Sequence, residues 1–331
     1  MKFYNQKPFL LESGEKLSGF HLEYTVYGDG FNKPILWIIH ALTGESKIEN
    51  WWNEVMIDTQ ITSNFCLICV NNPGSPYGSL SPMDINPKNH KKFYRDFPLI
   101  TTRDVAKMFD ILRVELGIGE IEGLIGASLG AQIALEWNIL QPNVFKKHLN
   151  IAGNAQHSAW GIAFNEAQRM AIYSDPTYFQ DFDEGGKEGL KAARAMAMLS
   201  YRSYPLYQLK QSDNNHKINH FKSADYQQYH GNKLAARFNA YSYVTLTKMM
   251  DSHNIFRNRL GNPLENISTY FAFLGIDSDI LFPIQEQKFL KSLTKNSELI
   301  TLNSIYGHDT FLVETNFMKK LLTNIFNHNK K

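Results

Sequence analysis

Cysteine is nearly absent: the chain of 331 residues has two, Cys66 and Cys69, both in FCLICV. So few exclude a disulfide-stapled scaffold. Their C-x-x-C spacing lies inside an apolar run, where side chains at i and i+3 point to opposite faces, whereas a redox dithiol of this kind opens a helix. Both are expected to be reduced and buried. No excess of either charge exists, with 34 Lys and Arg against 32 Asp and Glu and a net charge of +2. Neither nucleic acid nor an anionic membrane is therefore indicated as a partner. No stretch reaches the roughly 18 unbroken apolar residues of a membrane span. The opening MKFYNQKPFLLESGEKL lacks the apolar core and cleavage site of a secretory signal. A cytoplasmic protein is expected. The 11 histidines are scattered, so no zinc-type Cys/His cluster forms and no metal site is expected. What the chain does have is 43% hydrophobic and 13% aromatic residues, enough for one large core or two modest ones.

Short apolar runs alternate with amphipathic stretches in the first third, the pattern of a parallel sheet built by β-α crossovers. ILWII (35–39) and the run 65–70 read as buried strands, the second stopped by Asn71, Asn72, Pro73 and Gly74. Thr101 or Thr102 caps a helix carrying Val105, Met108, Phe109, Leu112 and Leu116 on one face, which Gly117 closes. A third strand (121–125) runs into GASLG and at once into a helix ending at Pro142, with a fourth strand near 148–152. Residues 154–266 change to helices and polar loops and read as a helical lid insertion. Regular order returns with a strand at 269–275, a helix at 284–293, a strand at 298–302 and a closing helix at 311–326. The expected class is α/β, a mostly parallel sheet with helices on both faces. Residues 1–153 and 267–331 form its core.

GASLG, Gly126 to Gly130, fits the G-x-S-x-G nucleophile elbow, and the strand before it and helix after it give the pattern weight. Glycines are required because the turn is tight, while Ser128 is held strained with its hydroxyl exposed. The helix opening at Leu129 directs unpaired N–H groups toward the place where an acyl oxyanion develops. A serine needs a base, and after such an elbow the partners follow as Asp or Glu, then His. IDSDILFP places Asp277 and Asp279 after one late strand, and NSIYGHD places His308 after the next. Asp277 lies nearer the strand end. Asp279, four residues ahead of Pro283, is favoured as the acid that orients His308. A second oxyanion donor is expected in HALTG (40–44), with the Leu42 N–H as candidate beside that of Leu129. His40 precedes the serine in the chain and is read as a structural loop histidine.

These stretches together resemble the homoserine O-acetyltransferase family of the α/β-hydrolase fold. The match includes HALTG, the pair Trp51 and Trp52, YGS from Tyr77, DINP from Asp84, TRD from Thr102, GASLG, AFNE from Ala163, GIDSDILFP from Gly275 and YGHD from Tyr306. It spans most of the chain. Departures are Ala127 and Ala131 where the family's elbow has glycines, and RFNAY (237–241) in place of R-F-D-A-N.

The resemblance implies acetyl transfer from acetyl-CoA to the hydroxyl of L-homoserine, in methionine biosynthesis, by a ping-pong route through an acyl-Ser128. It implies no bound cofactor, with acetyl-CoA as co-substrate, and a homodimer. It assigns Arg169 to the acceptor carboxylate, Asp309 to the α-ammonium and Tyr243 to a hydroxyl contact. The competing readings are a serine esterase on the same scaffold, and a transferase using L-serine or succinyl-CoA.

Overall fold

The structure, a computed structural model, describes residues 1–28, 30–57 and 61–326. Among these, the main sheet comprises β1 (Lys2–Asn5), β2 (Phe20–Tyr27), β3 (Ile35–Ile39), β4 (Cys66–Val70), β5 (Ile121–Ala127), β6 (Phe145–Ile151), β7 (Tyr270–Ile276) and β8 (Ser297–Leu302). Their spatial order is β1-β2-β4-β3-β5-β6-β7-β8. The first two are antiparallel to their neighbours, and the pairings from β4 to β8 are parallel. Every residue of β3, β4 and β5 is buried. That explains their nearly continuous apolar sequences, broken in β5 by Glu122, since helices cover both faces of a parallel sheet.

Sequence expectations for these elements hold with ends moved by a few residues. The helix α1 (Thr102–Glu115) is capped by Thr101, whose hydroxyl accepts from the Asp104 N–H while the Asp104 carboxylate accepts from the Thr101 N–H. The elbow helix is α2 (Leu129–Leu140). Cys66 and Cys69 are free and buried in β4. The expected closing helix is broken: a short turn of helix, Thr310–Val313, precedes a longer helix, Thr315–Phe326, because Glu314 leaves helical geometry at ψ 59. Residues 327–331, at the end of the expected core, lie outside the described residues.

Between β6 and β7 the chain is helical: α3 (Ala159–Tyr173), α4 (Lys187–Tyr201), α5 (Tyr204–Gln211), α6 (Lys222–Ala235) and α7 (Ala240–Asp251). These helices lean on the carboxyl rim of the sheet at two places. Arg237 donates to the Thr43 carbonyl at 2.8 Å and to the Tyr77 hydroxyl, which fixes the corner between α6 and α7 on the loop after β3. At the opposite side, a Cβ on Gly307 would lie 2.8 Å from the Tyr201 carbonyl and 3.1 Å from the Ser203 N. The corner between α4 and α5 therefore rests directly on the loop after β8. The helix α8 (Ile284–Leu293) returns the chain from β7 to β8.

Candidate active site

The elbow stands where β5 ends. Ser128 has φ 55 and ψ −120, outside the regions open to ordinary L residues, a geometry that stores about 1–3 kcal/mol. It is held there by its N–H, which donates to the Ile151 carbonyl at 2.9 Å, and by its carbonyl, which accepts from the Ala131 and Gln132 N–H groups. The flanking glycines allow this approach. A Cβ on Gly126 would meet the Gly130 carbonyl at 2.4 Å, and one on Gly130 would meet the Ile39 carbonyl at 2.1 Å. The second contact presses the start of α2 against the end of β3, so the HALTG loop begins beside the nucleophile. The Leu42 and Leu129 N–H groups have no acceptor among the described residues, and both residues are buried. His40 pins that loop: Nδ1 donates to the Ala41 carbonyl at 2.8 Å, and Nε2 accepts from the Asn72 N–H at 3.0 Å. Burial lowers its pKa to about 4, which suits a neutral structural ring rather than a base.

Asp279 and His308 meet on the same rim, after β7 and β8. His308 Nδ1 lies 2.6 Å from Asp279 Oδ2, and the other carboxylate oxygen accepts from the Leu281 and Phe282 N–H groups at 2.8 and 2.9 Å. Three donors thus hold the acid, and its bond to Nδ1 leaves Nε2 to serve a substrate or the serine. Burial opposes charge on His308, yet Asp279, with Asp309 and Glu286 behind it, outweighs burial and raises the pKa. The ring stacks on Phe282 at 5.2 Å and meets Phe311 edge-on. Asp277 is exposed and accepts instead from the Ser304 N–H at 3.1 Å, so it braces the loop after β8.

The expected acceptor residues divide. Asp309 is buried next to His308, and its Oδ2 pairs with Arg202 Nη2 at 3.1 Å. Tyr243 is fully buried; its hydroxyl donates to Gln168 Oε1 at 2.5 Å and bonds with Tyr201. Arg169 is not brought to this group. Its Nη2 sits 2.6 Å from both Glu166 Oε2 and Asp251 Oδ2, tying α3 to α7. A cation that the sequence reading passed over reaches this group through Tyr201. Arg194 lies over the Tyr201 ring at 5.1 Å, and that ring is 5.7 Å from the His308 ring. Arg194 Nη1 is buried without a partner. The signal was present in α4: Arg194 and Tyr201 stand seven apart, on one helical face. Glu286 was also missed. Its Oε2 accepts from Asn154 at 2.9 Å, and its pKa is raised to about 7 by burial, with Asp279 adding to the rise.

A strained serine on a strand-to-helix turn, followed in the chain by an aspartate and a histidine on one rim of a sheet ordered this way, places the chain in the α/β-hydrolase class. Residues 34–315 match the family model of the alpha/beta hydrolase fold. Homoserine O-acetyltransferase of Cyclobacterium marinum is 42% identical, covering 99% of this chain and 95% of the relative. That of Nostoc punctiforme is 36% identical, covering 95% and 92%. The chain belongs to the homoserine O-acetyltransferase family. Among solved structures, homoserine O-acetyltransferase from Bacillus anthracis matches with a TM-score of 0.89 at 20% identity, covering 99% of this chain and 97% of the other. Esterase E22 matches with 0.84 at 20% identity, covering 98% and 99%. At such identity both speak for the fold alone, and no helix among the described residues is long and apolar enough to cross a membrane.

Proposed function

We infer that the chain transfers an acetyl group to the hydroxyl of homoserine, the activity for which its relatives are named. We propose acetyl-CoA as donor and an acyl-Ser128 as intermediate. Ser128 Oγ attacks the thioester carbonyl while His308 Nε2 accepts its proton. The oxyanion is held by the Leu42 and Leu129 N–H groups. Collapse breaks the C–S bond, and the proton on His308 leaves with the thiolate as CoA thiol. The homoserine hydroxyl then attacks the ester, giving its proton to His308. Collapse releases O-acetylhomoserine and returns that proton to Ser128. Asp279 keeps the imidazole in the required tautomer and stabilises its charge. All charge is handled by these groups, so the route calls for no metal or redox group.

The observation that carries the transferase reading over an esterase is the charged pair beside His308. Water needs neither a cation nor an anion, but a zwitterionic alcohol needs both. Asp309 receives the α-ammonium. Arg194 receives the carboxylate in the place expected of Arg169: each has a buried unpartnered Nη1, but the Arg169 guanidinium is already neutralised through Nε and Nη2 by Glu166 and Asp251. Tyr243 acts by fixing Tyr201 between them. We further place the protein in the cytoplasm as a homodimer joined through the lid, where Leu199, Tyr204 and Leu209 are more than half exposed.

The test is to load the protein with acetyl-CoA and follow the adduct by intact mass. Acetylation of wild type but not of Ser128→Ala is expected, and homoserine should accelerate deacylation far beyond water or serine. If homoserine leaves the deacylation rate unchanged, the esterase becomes the better account.

A further inference from the structure

We propose that Trp160, on the first turn of the lid helix α3, is a positioning residue for the acid of the triad, a statement that rests on the Ser128, Asp279 and His308 reading above. Its indole Nε1–H donates to the Ile280 carbonyl at 2.6 Å. Ile280 directly follows Asp279 in the chain. The lid therefore touches the acid loop one residue from the carboxylate that orients His308.

A single peptide plane joins the indole to that carboxylate. The Ile280 carbonyl and the Leu281 N–H belong to one rigid trans peptide and point in opposite directions. The carbonyl edge meets Trp160, and the N–H edge donates to Asp279 Oδ1 at 2.8 Å. Oδ2 of the same carboxylate lies 2.6 Å from His308 Nδ1. A hydrogen bond at one edge of a peptide restrains the plane and polarises the group at the other edge. Three bonds in series thus link an indole on the lid to the imidazole. Without the indole N–H, the plane can turn about its flanking dihedrals and carry the Leu281 N–H away from Oδ1. The Phe282 N–H, at 2.9 Å, still holds that oxygen, so the expected loss is partial.

Trp160 is 54% exposed, a poor place for so large a ring if packing were its only role. Its one close ring partner is Phe164, edge-on at 4.8 Å and one turn further along α3, which steadies the indole over the loop. Asp279 and Leu281 are buried, whereas Ile280 between them is exposed. Burial fixes the inner side of the loop, and Trp160 fixes its outer side. The same end of α3 makes a second tie: the Ser158 hydroxyl, which caps the helix by accepting from the Gly161 N–H, also bonds with Glu286. The first turn of the lid is fastened both to the acid loop and to the start of α8.

The experiment follows acylation of Ser128 by p-nitrophenyl acetate, an activated ester that needs the triad but no CoA, together with the proton NMR resonance of His308 Nδ1–H. Trp160→Phe keeps a ring and removes the donor. Trp160→His puts the Nε2–H of a neutral imidazole in the place of the indole N–H when read at about pH 8. The position is more than half exposed, so both variants should fold. Expected for Trp160→Phe is a fall of about 3- to 10-fold in the limiting acylation rate, the effect of one neutral hydrogen bond. The half-saturating ester concentration should not change, and the Nδ1 proton should move upfield as its contact with Asp279 loosens. Trp160→His should recover most of both. A wild-type rate or an unmoved resonance in Trp160→Phe overturns the proposal, as does an equal loss in Trp160→His, which would trace the effect to the ring and not to its N–H. If the ester acylates wild-type Ser128 but acetyl-CoA does not, the thioester reading falls and this proposal stands. If neither acylates it, the Ser128 reading falls and takes this proposal with it.

Discussion

Replacing Asp279 by Asn isolates what the acid contributes, because the amide has the same shape and can keep two of its three hydrogen bonds. The amide oxygen can still accept from the Leu281 and Phe282 N–H groups, now at 2.8 and 2.9 Å from Oδ1. Its NH₂ then faces His308 Nδ1 across the 2.6 Å contact, and two donors cannot share that gap. The imidazole must move its proton to Nε2, the nitrogen that should receive the proton of Ser128. Turnover should fall by about three to four orders of magnitude, roughly 4–5.5 kcal/mol of barrier. Stability should fall less, by about 1.5–3 kcal/mol for one charge-assisted bond. The pH dependence has a definite sign. His308 is raised above 6.5 despite burial, chiefly by Asp279, so its contribution is present below the unfolded value and vanishes as pH rises through the folded one. The stability gap between wild type and Asp279→Asn should therefore be wider at pH 6 than at pH 9. Asp277→Asn is the control, since that side chain touches only the Ser304 N–H. Stopped-flow acylation, intact mass and thermal melts at both pH values measure all of this. An Asp279→Asn protein with more than about a tenth of wild-type turnover, or an equally damaged Asp277→Asn, would refute the assignment.

Arg194→Leu should leave acylation of Ser128 intact and slow transfer to homoserine by about 30- to 1000-fold, the effect of roughly 2–4 kcal/mol, in single-turnover deacylation. Arg169→Leu should instead strip the half-buried Asp251 of its cation and lower stability by about 1.5–3 kcal/mol, seen in a denaturant melt; the reverse pattern would restore Arg169 as the acceptor residue. Glu286→Gln should shift the acid limb of the rate profile to lower pH, because the Glu286 carboxylate helps hold charge on His308. Burial first, then Asp279, raises Glu286 itself to about 7, so its stabilising contribution is full below its unfolded value of 4.5 and is lost as pH rises through 7. The Gln variant should match wild type near pH 4.5 and melt higher than it at pH 8, and a pH-independent difference would argue against this environment.

Much of this was legible in the chain because local rules and tertiary structure agreed. The core strands were readable as apolar runs because both faces are covered. The elbow was readable because Gly126 and Gly130 are demanded by backbone contacts at 2.4 and 2.1 Å. The strand β2 was not read, although FHLEYTVY alternates in burial. It is antiparallel, lies near the sheet edge and keeps one face half exposed, so it lacks the continuous apolar signature of its neighbours. The order serine, aspartate, histidine was legible, but which aspartate meets His308 shows only in the three-dimensional arrangement. A local sign existed: Asp279 Oδ1 accepts from the N–H groups two and three residues on, a turn that fixes the carboxylate before any histidine arrives.

The two arginines show where the limit lies and how it could have been narrowed. Each sits on a lid helix in a stretch of similar composition, and resemblance pointed to the first. Arg169 has Glu166 three residues before it, and the pair forms at 2.6 Å, as i,i+3 spacing on a helix allows. Arg194 has Leu190, Lys191, Ala197 and Met198 at the corresponding positions, so no carboxylate on its own helix can neutralise it. A half-buried guanidinium without a partner on its own helix must find its anion elsewhere in the fold or in a ligand. Tyr201 offers only the face of a ring, and Asp309 beside His308 is held by Arg202. On the proposed reading, the acceptor carboxylate meets Arg194 at its unpartnered Nη1.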